Sequence, residues 1–395
     1  MKILTLSRNY PNTVLPHLGI WVEGLVAQLA KRVDVRVVSP VPYAPPFPNG
    51  VLQAYTRFRS IPKRESRGGV TIDHPRFVIT PGNYLYAYEA DLMLASLRPV
   101  VERVRREFRF DLIHAHFSYP DGVVAAKLAA HYGVPFVITE HALWHPWMDK
   151  NERVRRQAVA AIEQCFAFIA ASRALRDSMT DFAGHAEKCR LIPIGVDAAI
   201  FHAQGRAVKQ GQILYVGRFQ PVKGVDVLLR AFHRCTARQQ GARLVLVGGS
   251  LYNSKEERDT RELAQELQLT DQVEFRGALP PEQVAQAMRE SAFLVSPSRR
   301  ESFGTVLAEA LACGTPVLAT RCGGPEDIVN DEVGRLVAPD DVDSLAAGLD
   351  DMFARAPTFD PAALSNDALS RYRWDMIAEQ VIGVYHAALN PTGEG

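Results

Sequence analysis

The sequence predicts an α/β protein made of two doubly wound parallel sheets in tandem, and three observations carry that reading. Short β-branched runs alternate with longer stretches of helical period, the mark of parallel strands joined by crossover helices. The alternation breaks at a polar, turn-rich stretch, residues 203–212, and then restarts. The chain is 395 residues long with 47% hydrophobic content, more than one core holds, since single cores stop growing near about 250–300 residues.

The first series predicts strands over residues 3–7, 35–39, 112–115, 135–139 and 167–171, with helices over 20–31, 92–108, 123–132 and 151–161. The second predicts strands over 212–216, 243–247, 273–276, 293–296 and 316–320. Two such units are expected to face each other across a cleft that collects the residues at the carboxyl ends of their strands. The Pro-rich stretch 40–48 and the basic stretch 57–69 read as an ordered excursion too irregular to supply a core element.

Lys and Arg number 45 and Asp and Glu 44, for a formal net charge of +1. No whole-molecule field favours nucleic acid, and any anion binding must be local. Five cysteines, Cys165, Cys189, Cys235, Cys313 and Cys322, form no CxxC pair and read as reduced thiols. The opening run is too short for a leader and is expected to be the first buried strand. No apolar stretch approaches the roughly 20 residues of a membrane span. The expected location is the cytoplasm.

The sharpest local signal is Arg299-Arg300-Glu301-Ser302-Phe303-Gly304-Thr305-Val306-Leu307-Ala308-Glu309, running on to Gly314. A helix beginning near Gly304 and closing at Gly314 would aim its free N-terminal amides at an anion. Glu301 lies just before this helix and Glu309 within it. As a pair they either accept hydrogen bonds from ligand hydroxyls, or Glu301 caps the helix and Glu309 is a solvated charge. The second signal is Leu214-Tyr215-Val216-Gly217-Arg218-Phe219 followed by Lys223-Gly224. A buried strand ends at a glycine, and two cations five residues apart could hold a pyrophosphate.

The ordered set of motifs resembles glycosyltransferase family 4, the retaining nucleotide-sugar transferases of GT-B fold. It comprises the Gly19 loop, Asp111-Leu112-Ile113-His114-Ala115-His116, Thr139-Glu140-His141, residues 192–197, Gly217-Arg218 with Lys223-Gly224, and the Glu301 to Glu309 segment. It continues through Gly323-Gly324-Pro325-Glu326-Asp327-Ile328 and Gly334-Arg335-Leu336-Val337. The resemblance implies two Rossmann-like domains. Residues 1–202 would be the acceptor side and 203–373 would bind the nucleotide sugar, while 374–395 would form a helix that packs back on the first domain. It also implies a hexosyl transfer from a nucleotide-diphosphate sugar to a sugar or lipid-linked glycan, with no cofactor and no metal.

By the same resemblance Arg218 and Lys223 would neutralise the donor phosphates, and Glu301 would bind the transferred sugar with the amides of Phe303, Gly304 and Thr305. Glu309 would accept from the ribose, and Gly19, Gly217, Arg276, Gly277 and Ser302 would complete the donor site. His141 would meet the transferred sugar, with His116 and His17 on the acceptor side. His114 and His116 are expected to project in opposite directions, so that one of them at most serves the site. The single Gly19 departs from the two adjacent glycines many members carry. Asp341-Val342-Asp343, an Asp-x-Asp pattern, reads as a helix start in preference to a metal site.

A dinucleotide oxidoreductase would need Gly-x-Gly-x-x-Gly after the first strand, and none is present. A catalytically silent binding subunit would be expected to lack some of Arg218, Lys223, Glu301 and Glu309. The motif set is most similar to transferases of bacterial cell-envelope or exopolysaccharide assembly. Basic residues recur at Arg57, Arg59, Lys63, Arg64 and Arg67, at Arg98, Arg103, Arg105, Arg106 and Arg109, and at Lys150, Arg153, Arg155 and Arg156. They read as solvated faces or as a surface docking on anionic lipid at the cytoplasmic face of the inner membrane, each contributing about 1 kcal/mol.

Overall fold

The computed structural model describes residues 1–43, 56–79, 85–143, 151–209, 211–249 and 254–390. It divides into two compact units. One comprises Met1–Ala171, Leu175–Pro193 and Trp374–Gly395, the other Ser172–Ala174 and Ile194–Arg373. No described helix is long and apolar enough to cross a membrane.

The strands of the first unit are β1 (Lys2–Leu6), β2 (Asp34–Val38), β3 (Val41–Tyr43), β4 (Arg64–Arg67), β5 (Val70–Asp73), β6 (Arg76–Val78), β7 (Leu112–His116), β8 (Phe136–Glu140), β9 (Ala167–Ala170) and β10 (Cys189–Leu191). Eight form one sheet in the order β10-β9-β8-β7-β1-β2-β5-β4, and β3 pairs with β6. All neighbours are parallel except β4 and β5. The stretch 57–69, expected to stay outside the core, therefore supplies the antiparallel edge strand β4, with β5 directly after it. The turn Gly68-Gly69, with φ of 55° and 82°, permits the tight reversal that pairs them. Of the Pro-rich stretch, residues 44–48 lie outside the described residues.

Crossover helices cover this sheet: α1 (Ile20–Leu29), α2 (Glu89–Glu107), α3 (Val123–Tyr132), α4 (Glu152–Gln164) and α5 (Arg173–Ala183). In α2 the buried residues Met93, Leu97, Val101 and Val104 recur at helical spacing. Asn151 caps α4 by accepting from the Val154 N–H. Gly133, at φ 63°, ends α3 in the left-handed conformation.

The second unit holds β11 (Gln212–Arg218), α6 (Val225–Arg234), β12 (Arg243–Gly249), α7 (Ser254–Glu266), β13 (Val273–Gly277), α8 (Pro281–Glu290), β14 (Phe293–Ser296), α9 (Thr305–Ala312), β15 (Val317–Thr320), β16 (Gly334–Val337), α10 (Val342–Arg355) and α11 (Pro361–Tyr372). Its sheet is wholly parallel in the order β13-β12-β11-β14-β15-β16, the doubly wound order 3-2-1-4-5-6. Leu228 and Phe232 of α6 and Leu345, Leu349 and Met352 of α10 close one core with Leu244, Leu246 and Phe293. The Asp341 carboxylate accepts from the Asp343 and Ser344 N–H groups at the start of α10, both at 3.0 Å. The first Asp of the Asp-x-Asp pattern is a helix cap.

The chain enters the second unit at Ile194, ahead of the polar stretch 203–212. That stretch belongs to the second unit for a physical reason. Arg206 reaches Thr315 Oγ1 at 2.7 Å and the Ser291 carbonyl at 3.2 Å, while Val196 N–H donates to Tyr372 O at 2.6 Å. The last helix, α12 (Trp374–Leu389), returns to the first unit, where Ile377, Val381 and Tyr385 pack with Ile3, Leu25, Leu29, Leu112 and Val137.

This return explains a glycine in the middle of α1. A Cβ on Gly24 would lie 2.9 Å from the Trp374 indole. Elsewhere in a helix Gly→Ala stabilises by roughly 0.5–1 kcal/mol, but overpacking a filled contact costs about 1–3 kcal/mol. Gly24→Ala is expected to lower Tm by roughly 2–4 °C, measured by circular dichroism; a rise would show that Trp374 moves aside freely.

Candidate active site

In the second sheet the strand order reverses between β11 and β14, so the segments leaving their carboxyl ends diverge around an open crevice. The segment after β11 makes a tight turn, Pro221–Lys223, closed by Gly224 at φ 66°. A Cβ on Gly224 would sit 2.1 Å from the Pro297 carbonyl oxygen just past β14, so only glycine allows this turn to approach. The approach brings Lys223 Nζ to 2.5 Å from Glu301 Oε2, with the two side chains 22% and 15% exposed. Two charges taken from separate motifs thus form one partly buried pair.

Glu301 does not cap α9. Gly304 stands at the N-cap with φ 100°, and no side chain caps the helix. The Glu301 backbone is held by the 322–324 segment: its N–H donates to Cys322 O at 3.2 Å and its carbonyl accepts from Gly324 at 2.7 Å. A Cβ on Gly324 would lie 2.3 Å from Phe303 Cα. The Phe303 ring is buried edge-on against Tyr372 at 5.7 Å. The amides of Phe303, Gly304 and Thr305 donate to no acceptor among the described residues, as the first turn of a helix leaves them. The Ser302 carbonyl accepts from Ser172 Oγ at 2.6 Å.

Glu309, one turn further on, is half-buried, and its carboxylate has no hydrogen-bond partner among the described residues. Burial pushes its pKa up to about 8. Arg218 is exposed, and its carbonyl accepts from Tyr215 Oη at 2.8 Å. A Cβ on Gly217 would lie 2.8 Å from the same hydroxyl. Arg276 and Gly277 end β13, two strands from the reversal, and the Arg276 guanidinium is held by Glu274 at 2.8 Å.

In the first unit His114 and His116 lie on one face, with ring centroids 4.4 Å apart. This corrects the expectation that they diverge: residues two apart on a strand share a face. His114 is fully occupied, with Nδ1 2.6 Å from Tyr385 Oη and Nε2 2.7 Å from Thr139 Oγ1. His116 Nδ1 lies 2.9 Å from His141 Nε2. His116 Nε2 is buried without a partner among the described residues. One of the two rings donates across this contact and the other accepts. Burial pushes His114 and His141 down to about 3 and His116 well below its ordinary value, so all three are neutral.

Gly19 caps α1 at φ 69°, where a Cβ would lie 2.0 Å from the Asn9 carbonyl oxygen; its role seen here is close packing of backbone. His17 is exposed in the preceding turn. Among the described residues no three His, Cys, Asp or Glu side chains converge as a metal site. The five cysteines are free thiols.

Residues 18–200 match the family model described as Glycosyltransferase Family 4, and residues 197–360 the one described as Glycosyl transferases group 1. A D-inositol 3-phosphate glycosyltransferase of Acidothermus cellulolyticus is 30% identical, over 92% of this chain and 85% of its own length. The chain is a group 1 glycosyltransferase of the family 4 type. Sucrose-phosphate synthase from Thermosynechococcus elongatus shares the fold of this glycosyltransferase with a TM-score of 0.80, at 22% identity, over 99% of this chain and 100% of that one. Anabaena HepE, solved in complex with UDP-glucose, has a TM-score of 0.73 at 21% identity, over 98% of this chain and 100% of its own.

Arg299, which carried no role in the sequence analysis, braces the Lys223 turn of the glycosyltransferase. Its guanidinium makes two bonds to Asp226, 2.8 and 2.9 Å, one to Asp340 at 2.8 Å, and one to the Pro221 carbonyl. Its N–H donates to Val222 O at 2.8 Å. These carboxylates hold the guanidinium above its ordinary pKa. The Arg-Arg doublet before Glu301 was the available signal. A lysine keeps the charge but cannot make this planar fork. Arg299→Lys is expected to lower kcat/KM at least tenfold with a smaller change in Tm, checked by steady-state kinetics and thermal melts.

Proposed function

We propose that this glycosyltransferase moves a hexosyl unit from a nucleotide-diphosphate sugar to a hydroxyl of a sugar or lipid-linked glycan, with retention of configuration and without a metal ion. The Lys223–Glu301 pair at the strand-order reversal, beside the free amides of residues 303–305, carries the reading. Departure of the nucleotide diphosphate builds negative charge on the leaving oxygen. Lys223, Arg218 and the amides supply preplaced positive charge that favours the transition state over the ground state. Glu301 turns its carboxylate to hydroxyls of the transferred sugar once the donor phosphates draw Lys223 away. Glu309, whose carboxylate has no hydrogen-bond partner among the described residues, accepts from the ribose. UDP-glucose bound to the HepE neighbour supports a nucleotide sugar as donor. A relative named for D-inositol 3-phosphate makes a phosphorylated cyclitol one candidate acceptor.

Activity is expected to survive excess EDTA and an α-linked donor to give an α-linked product, read by NMR; full EDTA inhibition rescued by Mg²⁺ or Mn²⁺, or a β-product, would refute the proposal. Lys223→Ala and Arg218→Ala should each lower kcat by about 10²–10³. Glu309→Gln should raise donor KM with kcat comparatively intact, since the ribose changes little during the reaction.

The biosynthetic setting we infer is cell-envelope or exopolysaccharide assembly, with the protein resting on anionic lipid. Arg64 and Arg103 are held by Asp73, Arg67 by Glu23 and Arg153 by Asp91, so docking falls to other groups. Arg98, Arg106 and Arg109 are exposed and make no ion pair among the described residues; Lys150 lies outside them. Replacing these three by Gln should abolish salt-sensitive binding to phosphatidylglycerol liposomes. Equal partition onto neutral and anionic liposomes would refute the docking.

A further inference from the structure

Strands β7 and β8 of the first unit run in parallel register with His116 opposite Thr139, which sets His141 just past the end of β8 and beside the last residue of β7. The His141 backbone is fixed from within. Glu140, 4% exposed, accepts from the His141 and Ala142 N–H groups at 2.9 and 3.2 Å. Those bonds hold the main chain and leave the imidazole its side-chain torsions. Three rings bear on it: Trp21 of α1 at 6.0 Å, His116 at 5.2 Å and Phe117 at 5.1 Å between centroids. Of these three, His116 alone adds a hydrogen bond, from Nδ1 to His141 Nε2 at 2.9 Å.

His116 is itself held. Its ring lies 4.4 Å from that of His114, whose two nitrogens are taken by Tyr385 of α12 and by Thr139. His116 is fully buried, so what it does for a bound sugar it does through His141. Its Nε2 has no partner among the described residues. Whichever ring donates across the pair, this nitrogen stays unpaired, at a cost of about 1–3 kcal/mol. A phenylalanine would fill the same space without that cost, and buried polar atoms left unpaired are few in folded proteins. What phenylalanine could not supply is the bond to His141. Burial holds both rings neutral, so the contact is one directional hydrogen bond with a single proton between the two nitrogens.

We propose that His116 is a positioning residue, whose Nδ1 sets the orientation and the tautomer of the His141 imidazole. The inference rests on the reading in which His141 meets the transferred sugar. A ring that can turn, or that exchanges its proton between two nitrogens, presents a sugar hydroxyl with several arrangements in place of one. The His116 bond removes that freedom before the donor binds, and His114, clamped at both nitrogens, keeps His116 from turning in its place.

The direct test is long-range ¹H–¹⁵N NMR of the histidine rings in the full-length protein labelled with ¹⁵N-histidine, the His141 signals being those lost in His141→Ala. In the wild-type protein His141 is expected to hold one tautomer; a ring averaging over both would overturn the proposal with no variant needed. His116→Phe keeps the stacked ring and removes both nitrogens. It should release His141 into tautomer averaging while Tm moves by less than about 4 °C. An asparagine amide reaches the place of Nδ1, so His116→Asn should preserve the single tautomer. The functional arm is slow hydrolysis of whichever of UDP-glucose, GDP-mannose and ADP-glucose the wild-type protein cleaves fastest. His116→Phe should lower kcat about tenfold or more with donor KM within about threefold, and His116→Asn should recover most of that loss. In a His141→Ala background His116→Phe should cost less than about a further twofold. An equal cost in both backgrounds, an Asn variant as slow as the Phe variant, or a large fall in Tm with kcat per folded molecule unchanged would sink the positioning role. If His141→Ala hydrolyses the donor like wild type while Lys223→Ala does not, the transferase reading stands and this inference falls.

Discussion

A parallel sheet whose strand order reverses cannot keep all its crossover helices on one face, so the chain segments leaving the two central strands part at the carboxyl edge. Both sheets of this glycosyltransferase are built on that constraint, at β1 and β7 in one and at β11 and β14 in the other. Lys223 and Glu301 reach the second reversal on short segments fixed by backbone contact. Gly224 against Pro297 and Gly324 against Phe303 are the clearest cases, since no residue with a Cβ could occupy either position without displacing backbone. The glycines set the distances, and the acidic and basic side chains then fall into place.

The Lys223–Glu301 contact has a further meaning for the unliganded protein. Two partly desolvated charges satisfy one another at 2.5 Å, which removes the cost of leaving either one unpaired in a half-buried place. Arg299, with Asp226 and Asp340, fixes the turn that carries Lys223, which holds this cation beside Glu301. Glu309 is the opposite case. It is half-buried with no hydrogen-bond partner among the described residues, and burial pushes its pKa up.

Most of the helices and parallel strands were legible in the sequence because their signal is local: β-branched runs, helical periodicity and glycine stops at Gly133 and Gly314. Lys223 and Glu301, which the fold pairs, each sit in a compact motif that stood out in the sequence. What was hidden depends on contacts between distant segments. The edge strand β4 carries Arg64, Glu65, Ser66 and Arg67, with no apolar alternation to reveal it, and its place follows only from pairing with β5. The unit boundary at Ile194 is set by a bond to Tyr372, far along the chain. The divergence expected of His114 and His116 failed against the two-residue repeat of a strand, which any pleated segment obeys.

The return of α12 to the first unit bears on how the chain is made. The core around Ile3, Leu112 and Val137 is closed by Ile377, Val381 and Tyr385, which are synthesised after the whole of the second unit. At about 5–20 residues per second of synthesis, roughly ten to forty seconds separate completion of β10 from completion of α12. For that interval the nascent amino-terminal half holds an uncovered apolar sheet face while the carboxyl-terminal half, contiguous but for three residues, can close its own core. In order of synthesis, then, the second unit has all of its residues before the first unit has its closing helix.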